Sequence, residues 1–272
     1  MARRRGQRGK DPRYPTELVI PDLHAKPGVP TSHYDAIGRY ALDKRPDVIV
    51  QLGDCGDFRS LSSYDSPAAK GFDQRDYADD ARCANEAARL LLAPISNWNK
   101  SNRKSRQYHP RCVMLMGNHE ERIVRAAQNE PWLRSVLLDP LQYAAQGWEV
   151  IPFLQPVIIN DISHSHYFCR NAKGHVVQSR RGMPSAMAQV IREGMSAIAG
   201  HKQGLDSHIQ PIGDGRRHRG LIAGSCYQHR EDYLTEQGND HWHGCLLLNE
   251  IRDGGDFDLV EVSMGWLLRR WA

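Results

Sequence analysis

Four short segments of this chain combine carboxylate, imidazole and amide side chains, the groups that bind divalent metal ions in proteins. Each follows an apolar run; they are Asp22-Leu23-His24, Gly53-Asp54-Cys55-Gly56-Asp57, Gly117-Asn118-His119-Glu120 and Gly200-His201-Lys202-Gln203. Asp oxygens, Asn carbonyls and His nitrogens together suit Mn, Fe, Zn, Ni or Co. Two such ions, roughly 3.5–4 Å apart and bridged by one carboxylate, can stabilise both the attacking and the leaving oxygen of a phosphoryl displacement. These residue types therefore indicate a site for divalent metal ions, and phosphoryl displacement is one reaction that a pair of ions could catalyse.

The apolar runs before these segments are typical of buried strands. They lie at Glu17–Asp22, Asp47–Leu52, Arg111–Met116 and Ala197–His201. Helical patterns at residues 32–45, from about Arg75 to Leu92 and at Glu121–Gln128 alternate with strand patterns, which favours βαβ units and a largely parallel sheet. Sites in open α/β sheets lie beyond the carboxyl ends of the strands. We therefore expect the four polar segments to meet.

The C-terminal half has a pattern richer in strands. The predicted strands are Val150–Phe153, Pro156–Ile159, Ile162–Phe168, Leu221–Tyr227, Gly244–Ile251 and Phe257–Val262. Met183–Gly194 has a helical pattern, and Asp253–Asp256 (DGGD) predicts a hairpin turn. No linker divides the chain in two. We predict one domain, residues 16–272, with two packed sheets and helices outside them.

The ordered series D-x-H, G-D-x-x-D, G-N-H-E, a later His and G-H resembles the calcineurin-like metallophosphoesterase superfamily. The match extends from about Leu18 to Gln203. D-x-H alone does not identify the superfamily, whereas the complete series in order is a strong signal. The resemblance implies an α/β fold, a four-layer α/β/β/α sandwich of two mixed sheets flanked by helices. The segments SHYF (165–168), GHKQGLD (200–206) and AGSCY (223–227) are also similar to a phage-associated branch of that superfamily.

The resemblance also implies a metal site with two divalent ions. Mn²⁺ is the expected species, with Fe, Zn, Ni or Co as alternatives. Asp22 and His24 would hold the first ion and Asp54 would bridge both. Asn118 and His201 would hold the second ion, together with a His from the middle of the chain.

Two further residues take catalytic roles by the same resemblance. His119 would face the substrate phosphate and act as general acid toward the leaving oxygen, and Asp57 would orient it. A hydroxide bridging the two ions would be the nucleophile. The implied enzyme is a metal-dependent phosphoric ester hydrolase that cleaves phosphomonoesters or phosphodiesters.

The chain departs from the family pattern at two positions. The middle His normally precedes Gly, but here His164 and His166 lie on the same face of a predicted strand. We prefer His166, and His164 remains an alternative. At the end of G-H-x-H the family usually has a His, whereas this chain has Gln203, a weaker neutral donor. Gln203 is thus a doubtful seventh ligand, and the first ion would be loosely held or a harder ion such as Mn²⁺.

Other functions are compatible with the same residues. Asp and Asn commonly end strands and cap helices, although this does not explain the whole series. Because of Gln203, the alternative function is a catalytically weak or inactive module that keeps the fold and binds phosphate or nucleic acid. A third alternative is a structural protein of a phage, in which metal ions serve only folding.

The distribution of basic residues is compatible with nucleic acid as a substrate or partner. Residues 1–15 form a predicted disordered tail with six basic side chains against one Asp, while the whole chain has a formal charge of +4. Loop 97–111 contains Lys100, Arg103, Lys104 and Arg106 between the aromatic residues Trp98 and Tyr108. Basic and aromatic residues together can follow a nucleic-acid backbone and stack on bases. The alternative is a solvated, highly charged loop.

The cysteine content and the lack of long apolar runs indicate the cellular compartment. Six scattered cysteines without a CxxC pair are read as reduced thiols. No secretory signal pattern and no apolar run of about 20 residues is seen, so no membrane association is expected. We predict a cytoplasmic protein of a bacterium or of a phage-infected host cell.

Overall fold

The computed structural model describes residues 14–62, 75–137, 141–177, 185–231 and 234–272. Its strands are β1 (Glu17–Ile20), β2 (Val48–Gln51), β3 (Arg111–Leu115), β4 (Glu149–Ile151), β5 (Val157–Ile159), β6 (Ile162–Ser165), β7 (Ser196–Ala199), β8 (Leu205–Pro211), β9 (Arg217–Ala223), β10 (Gly244–Arg252) and β11 (Asp256–Ser263). They form a six-stranded sheet, β11-β10-β1-β2-β3-β4, and a five-stranded sheet, β5-β6-β7-β9-β8. Both sheets contain parallel and antiparallel pairs, as predicted.

Helices cover the outer face of each sheet. They are α1 (Ser32–Lys44), α2 (Tyr77–Ser101), α3 (Glu121–Asn129), α4 (Arg134–Leu137), α5 (Ser185–Glu193) and α6 (Met264–Trp271). Helices α1, α2 and α6 pack together on the six-stranded sheet, and α5 packs on β7, β8 and β9. The predicted four-layer α/β/β/α sandwich of two mixed sheets flanked by helices is therefore confirmed.

The central strands have apolar side chains on both faces because both faces are covered. In β1, Leu18 and Ile20 pack against the helices, whereas Val19 packs between the sheets. In β2, Ile49 faces the helices and Val50 faces the other sheet. This explains why these strands have continuous apolar sequences rather than alternating ones.

Some predicted boundaries differ from the structure. Helix α2 continues past Leu92 to Ser101 and includes Pro94, although Pro removes one helical hydrogen bond. It packs closely on α1, where a Cβ on Gly38 would lie 2.5 Å from the Leu91 carbonyl oxygen. The predicted strand Leu221–Tyr227 lies earlier, at β9, and ends at Ala223. Strand β8 and helix α6 were not predicted.

The predicted disordered tail lies largely outside the described residues. Only Tyr14 and Pro15 of residues 1–15 are described, and the Pro15 carbonyl accepts a hydrogen bond from the Ile251 backbone N–H. The division into a tail and a single domain stays a prediction. None of the helices among the described residues is long and apolar enough to cross a membrane.

A buried polar pair joins the two sheets. His164 on β6 and Glu17 on β1 are both fully buried, and His164 Nε2 lies 3.1 Å from Glu17 Oε2. The Asn160 side-chain amide donates to the other oxygen of Glu17 at 2.7 Å. His164, the alternative middle ligand, is thus engaged between the sheets.

Replacing His164 with Leu should destabilise the protein, because Glu17 would lose a buried partner while the packing volume is nearly kept. We expect a loss of about 1–3 kcal/mol in the free energy of unfolding, measured by urea denaturation. The control is His208→Leu, since His208 lies half-buried on the edge strand β8. Equal stability of His164→Leu and the control would contradict this role.

Candidate metal centre

Polar segments from both sheets meet where parallel strands end. Strands β1, β2 and β3 are parallel neighbours, so the segments after them lie at one edge of the six-stranded sheet. Strands β6 and β7 are parallel neighbours in the other sheet, and they deliver His166 and His201. His166 Nε2 lies 3.3 Å from Asp54 Oδ2, across the gap between the sheets. The structure therefore brings the predicted segments together.

Asp22 and Asp54 each use one carboxylate oxygen to accept a backbone N–H and direct the other oxygen toward the site. Asp54 Oδ1 accepts the backbone N–H of His119 at 2.9 Å, and Asp22 Oδ1 accepts the backbone N–H of His201 at 3.0 Å. The Oδ2 atoms are directed toward imidazole nitrogens: His24 Nε2 lies 3.9 Å from Asp22 Oδ2 and 3.6 Å from Asp54 Oδ2. One oxygen of each carboxylate thus fixes a loop, and the other faces the site.

Two glycines allow these close contacts between loop and carboxylate. A Cβ on Gly117 would lie 2.1 Å from Asp54 Oδ1, and a Cβ on Gly200 would lie 2.5 Å from Asp22 Oδ1. Neither distance is tolerated by real side chains. The glycines of the GNHE and GH segments are therefore required by the carboxylates that they pack on.

Three site residues have left-handed backbone conformations. The φ angles of His24, Asp54 and His201 are 45°, 52° and 64°. Non-glycine residues in this region cost roughly 1–3 kcal/mol each and persist where the surrounding structure fixes them. Such strain is concentrated at functional sites, which supports a functional interpretation of this cluster.

One set of donors surrounds the position predicted for the second ion. Asp54, His166 and His201 offer atoms that all lie within 4.8 Å of one another, a spacing that fits a metal ion. Asn118 Oδ1 lies 2.8 Å from His166 Nε2 and 2.7 Å from His201 Nδ1. All four residues predicted for this position are thus in place.

The electrostatics of the metal-free site favour a charged His166. Burial opposes its charge, but the Asp54 and Asp22 carboxylates outweigh burial and raise the pKa of His166 to about 9. Burial and the neighbouring His166 lower the pKa of His201 to about 4. Burial raises the pKa of Asp22, whereas the imidazoles of His119 and His166 overcome burial and hold the pKa of Asp54 well below its usual range.

A second set of donors occupies the position predicted for the first ion. Asp22, His24 and Asp54 also offer ligand atoms within 4.8 Å of one another. Asp54 belongs to both sets, as expected of a bridging carboxylate. Gln203 lines the same cavity as His24 and Asp54, so the structure places the doubtful seventh ligand at the wall of the site.

The predicted catalytic pair is also present. His119 Nδ1 lies 2.7 Å from the Asp57 carbonyl oxygen and 3.0 Å from Asp57 Oδ1, so this nitrogen carries the proton and donates it. Burial opposes ionisation of Asp57, but His119, His24 and Lys26 outweigh it and hold the pKa of Asp57 well below its usual range. A third set of possible metal ligands, His24, Asp57 and His119, overlaps this pair.

Sequence reasoning assigned no role to Arg122, which lies on α3 one helical turn after His119. Its guanidinium donates to the Asp57 carbonyl at 2.9 Å and lies 3.1 Å from His119 Nε2. The i, i+3 spacing from His119 is the signal that could have identified it. Arg122, Arg59 and Lys202 are cations in the wall of the cavity.

The carboxylate of Glu120 connects the loops that follow β2 and β3. It is buried and accepts the backbone N–H groups of Asp54 at 3.0 Å, Gly56 at 3.0 Å and Gly117 at 2.9 Å. Burial and the Asp54 charge raise the pKa of Glu120, and the N–H groups oppose this rise. The Glu of the GNHE segment thus organises the site without facing the cavity.

The cavity above these residues has a volume of about 840 Å³. Asp54, Asn118, His119 and His201 form part of its wall. Gly238 and His241, from the segment between β9 and β10, form another part. This volume exceeds what a phosphate group needs, so the cavity has room for the groups esterified to it.

The predicted nucleic-acid-binding residues lie away from this cavity. Lys100, Arg103, Lys104 and Arg106 are exposed and precede β3, whereas Asn118 and His119, which line the cavity, follow β3. A five-residue strand spans about 16 Å. The flanking aromatics are engaged: the Trp98 indole donates to the Arg106 carbonyl, and Arg45 lies over both aromatic rings.

Comparison with known proteins defines no family for this chain. No family model and no curated protein matches it. The crystal structure of TT1561 of Thermus thermophilus aligns over 91% of this chain and 99% of its own, with 8% sequence identity and a TM-score of 0.40. A second solved structure aligns over 92% of this chain and 100% of its own, with 11% identity and a TM-score of 0.35. At such TM-scores neither similarity bears on function.

Metal affinity should increase with pH. Metal-free His166, with a pKa of about 9, carries a proton at neutral pH that a bound ion must displace. Release of this proton makes the Mn²⁺ dissociation constant of the ion held by His166 fall about tenfold per pH unit and level off above about pH 9. Calorimetric titrations at several pH values measure this slope. A dissociation constant that does not change between neutral pH and about pH 9 would contradict it.

Replacing Gln203 with His should tighten metal binding, because imidazole is a stronger donor than an amide oxygen for borderline ions. We expect the dissociation constant of one ion to fall while that of the other changes little, as measured by calorimetric titration with Mn²⁺. Gln203→Ala is the matched control. Unchanged affinity in both variants would show that residue 203 does not contact an ion.

Proposed function

We propose that this protein is a dinuclear metal-dependent phosphoesterase of the calcineurin-like type. The observation that carries the proposal is the position of Asp54, whose Oδ2 is shared by two sets of ligand atoms from different sheets. Two bound divalent ions would activate the nucleophile and neutralise charge on the phosphoryl oxygens. The resemblance in sequence order supports the same chemistry.

The residues around the ligands support hydrolysis rather than metal storage. His119 Nδ1 donates to Asp57, so its Nε2 is the nitrogen on the cavity side, 3.8 Å from Asp54 Oδ2. The guanidinium beside it can only donate, so Nε2 is the basic nitrogen. His119 can therefore take up a proton at Nε2 and pass it to the leaving oxygen.

The charge of the cavity wall fits an anionic substrate. Arg59, Arg122 and Lys202 all line it. The Arg122 guanidinium is held by the carbonyl oxygens of Asp57 and Phe58, so it is directed before a ligand arrives. A fixed cation beside the proton donor can bind the phosphoryl oxygens while the leaving group departs.

Phosphomonoesters and phosphodiesters both fit this proposal, and nucleic acid remains one proposed substrate. The predicted loop 97–111 begins in the structure as the end of α2 and finishes at the first residue of β3, at the opposite end of that strand from the cavity. A polymer bound to both would have to cross the length of that strand. Short oligonucleotides would therefore contact the cavity without that loop.

The purified protein with added Mn²⁺ should hydrolyse a generic aryl phosphodiester or monoester. Asp54→Asn should abolish turnover and weaken the binding of both ions, because Asp54 belongs to both ligand sets. His119→Ala should lower kcat by about 10²–10⁴-fold, the usual contribution of a positioned acid or base, and leave metal content unchanged. Release of the aryl alcohol is followed by absorbance, and metal content by elemental analysis.

Lys100→Ala, in the last turn of α2 and away from the cavity, is the control and should retain activity. Phosphate binding without turnover in the wild-type protein would contradict the enzyme and favour the inactive binding module. Turnover that survives both site variants would place the chemistry elsewhere.

A further inference from the structure

Glu231 is a buried carboxylate that none of the sequence motifs includes. Its exposed fraction is 3%, and it lies in the segment between β9 and β10. Glu231 Oε1 is 2.9 Å from His24 Nδ1 and 2.9 Å from His229 Nε2. Glu231 Oε2 accepts the Lys26 ammonium at 2.6 Å. A carboxylate from a distant part of the chain thus touches a proposed metal ligand.

The contact with Glu231 determines which nitrogen of His24 can bind an ion. The carboxylate accepts a hydrogen bond from the Nδ1–H group, so Nε2 keeps its lone pair. Nε2 is also the nitrogen that faces Asp22 and Asp54. In metalloproteins, a carboxylate on the far side of a His ligand fixes the ring orientation and increases its basicity.

The segment that carries Glu231 is anchored to the site through the backbone. The Cys226 N–H donates to the Asp22 carbonyl at 2.7 Å. Farther along, the Glu231 N–H donates to Asn239 Oδ1 at 2.7 Å, and the Asn239 amide donates back to the Glu231 carbonyl at 3.1 Å. Glu231 is therefore held in place independently of its side-chain contacts.

Lys26 connects Glu231 to the residue that orients His119. Its ammonium lies 2.6 Å from Glu231 Oε2 and 3.3 Å from Asp57 Oδ2. The rings of His24 and His119, which these two carboxylates hold, are 4.5 Å apart between centroids. The orientation of the proposed metal ligand is thus tied to that of the proposed proton donor.

We propose that Glu231 is a positioning residue that fixes His24 for the first metal ion and, through Lys26 and Asp57, aligns it with His119. This inference rests on the proposed two-ion function. It assigns to the segment between β9 and β10 a part in the site that the motif series, which ends at Gln203, does not include.

The test compares the wild type with Glu231→Ala, which removes the acceptor, and Glu231→Gln, which keeps an acceptor but removes the charge. Glu236→Gln is the matched control, because the Glu236 side chain is 92% exposed and contacts Arg230 instead. Mn²⁺ affinities are measured by calorimetry, and the coupling between two ions by electron paramagnetic resonance. The ¹⁵N shifts of the His24 ring report its tautomer in the metal-free protein.

We expect Glu231→Ala to lower the affinity for one ion by about 10–100-fold and to leave the affinity for the other ion unchanged. At limiting metal, the spectrum of a coupled Mn²⁺ pair should be replaced by that of an isolated ion. Glu231→Gln should have a smaller effect, with His24 still protonated on Nδ1. A loss of stability alone would lower both affinities together, and this outcome would overturn the positioning role.

The same titrations separate this inference from the proposed function. If the wild type binds two coupled ions and Glu231→Ala binds them equally well, the inference is wrong and the proposed function stands. If the wild type binds no coupled pair, the proposed function fails and the inference with it. If Glu231→Ala does not fold, an Mn²⁺ affinity of Glu231→Gln equal to that of Glu236→Gln would overturn the inference.

Discussion

The site depends on the placement of Asp54, whose carboxylate must reach ligands from both sheets. Two constraints hold it there. Its backbone N–H donates to the buried carboxylate of Glu120, and its Oδ1 accepts the backbone N–H of His119. Because Glu120 also accepts the N–H of Gly117, the loops after β2 and β3 form one unit. The position of Asp54 Oδ2 is then set by the Glu120 carboxylate on one side and by the His119 backbone N–H on the other.

This arrangement explains why the chain tolerates strain at the centre of the fold. Left-handed residues at positions 24, 54 and 201 are costly, but each one turns the chain abruptly at the carboxyl end of a strand. Buried carboxylates accept two of the N–H groups at these turns: Glu120 accepts that of Asp54, and Asp22 accepts that of His201. The second oxygen of Asp22 and that of Asp54 remain directed toward the imidazole of His24. Fold and site are therefore stabilised by the same contacts.

The sequence predicted the elements whose pattern is visible in neighbouring residues. Each apolar run followed by an abrupt polar change predicted a strand and the polar residues that meet beyond it. His166 lies in a group of possible metal ligands, whereas His164 contacts Glu17 between the sheets. Strand β8 was missed because an edge strand needs no continuous apolar pattern, and its residues alternate between half-buried and exposed. Glu231 was missed because its contact with His24 spans 207 positions. Only the folded chain brings these two residues together.

The charge balance of the metal-free site explains why it suits cations. Five carboxylates are buried in or directly behind the candidate site: Asp22, Asp54, Asp57, Glu120 and Glu231. Repulsion among them is offset by the Lys26 ammonium between Glu231 and Asp57 and by the raised pKa of His166. A divalent ion bound by His166 and Asp54 would bring two positive charges in place of one proton, in a region where burial strengthens electrostatic interactions. The proton on His166 therefore occupies a position whose surroundings favour a metal ion.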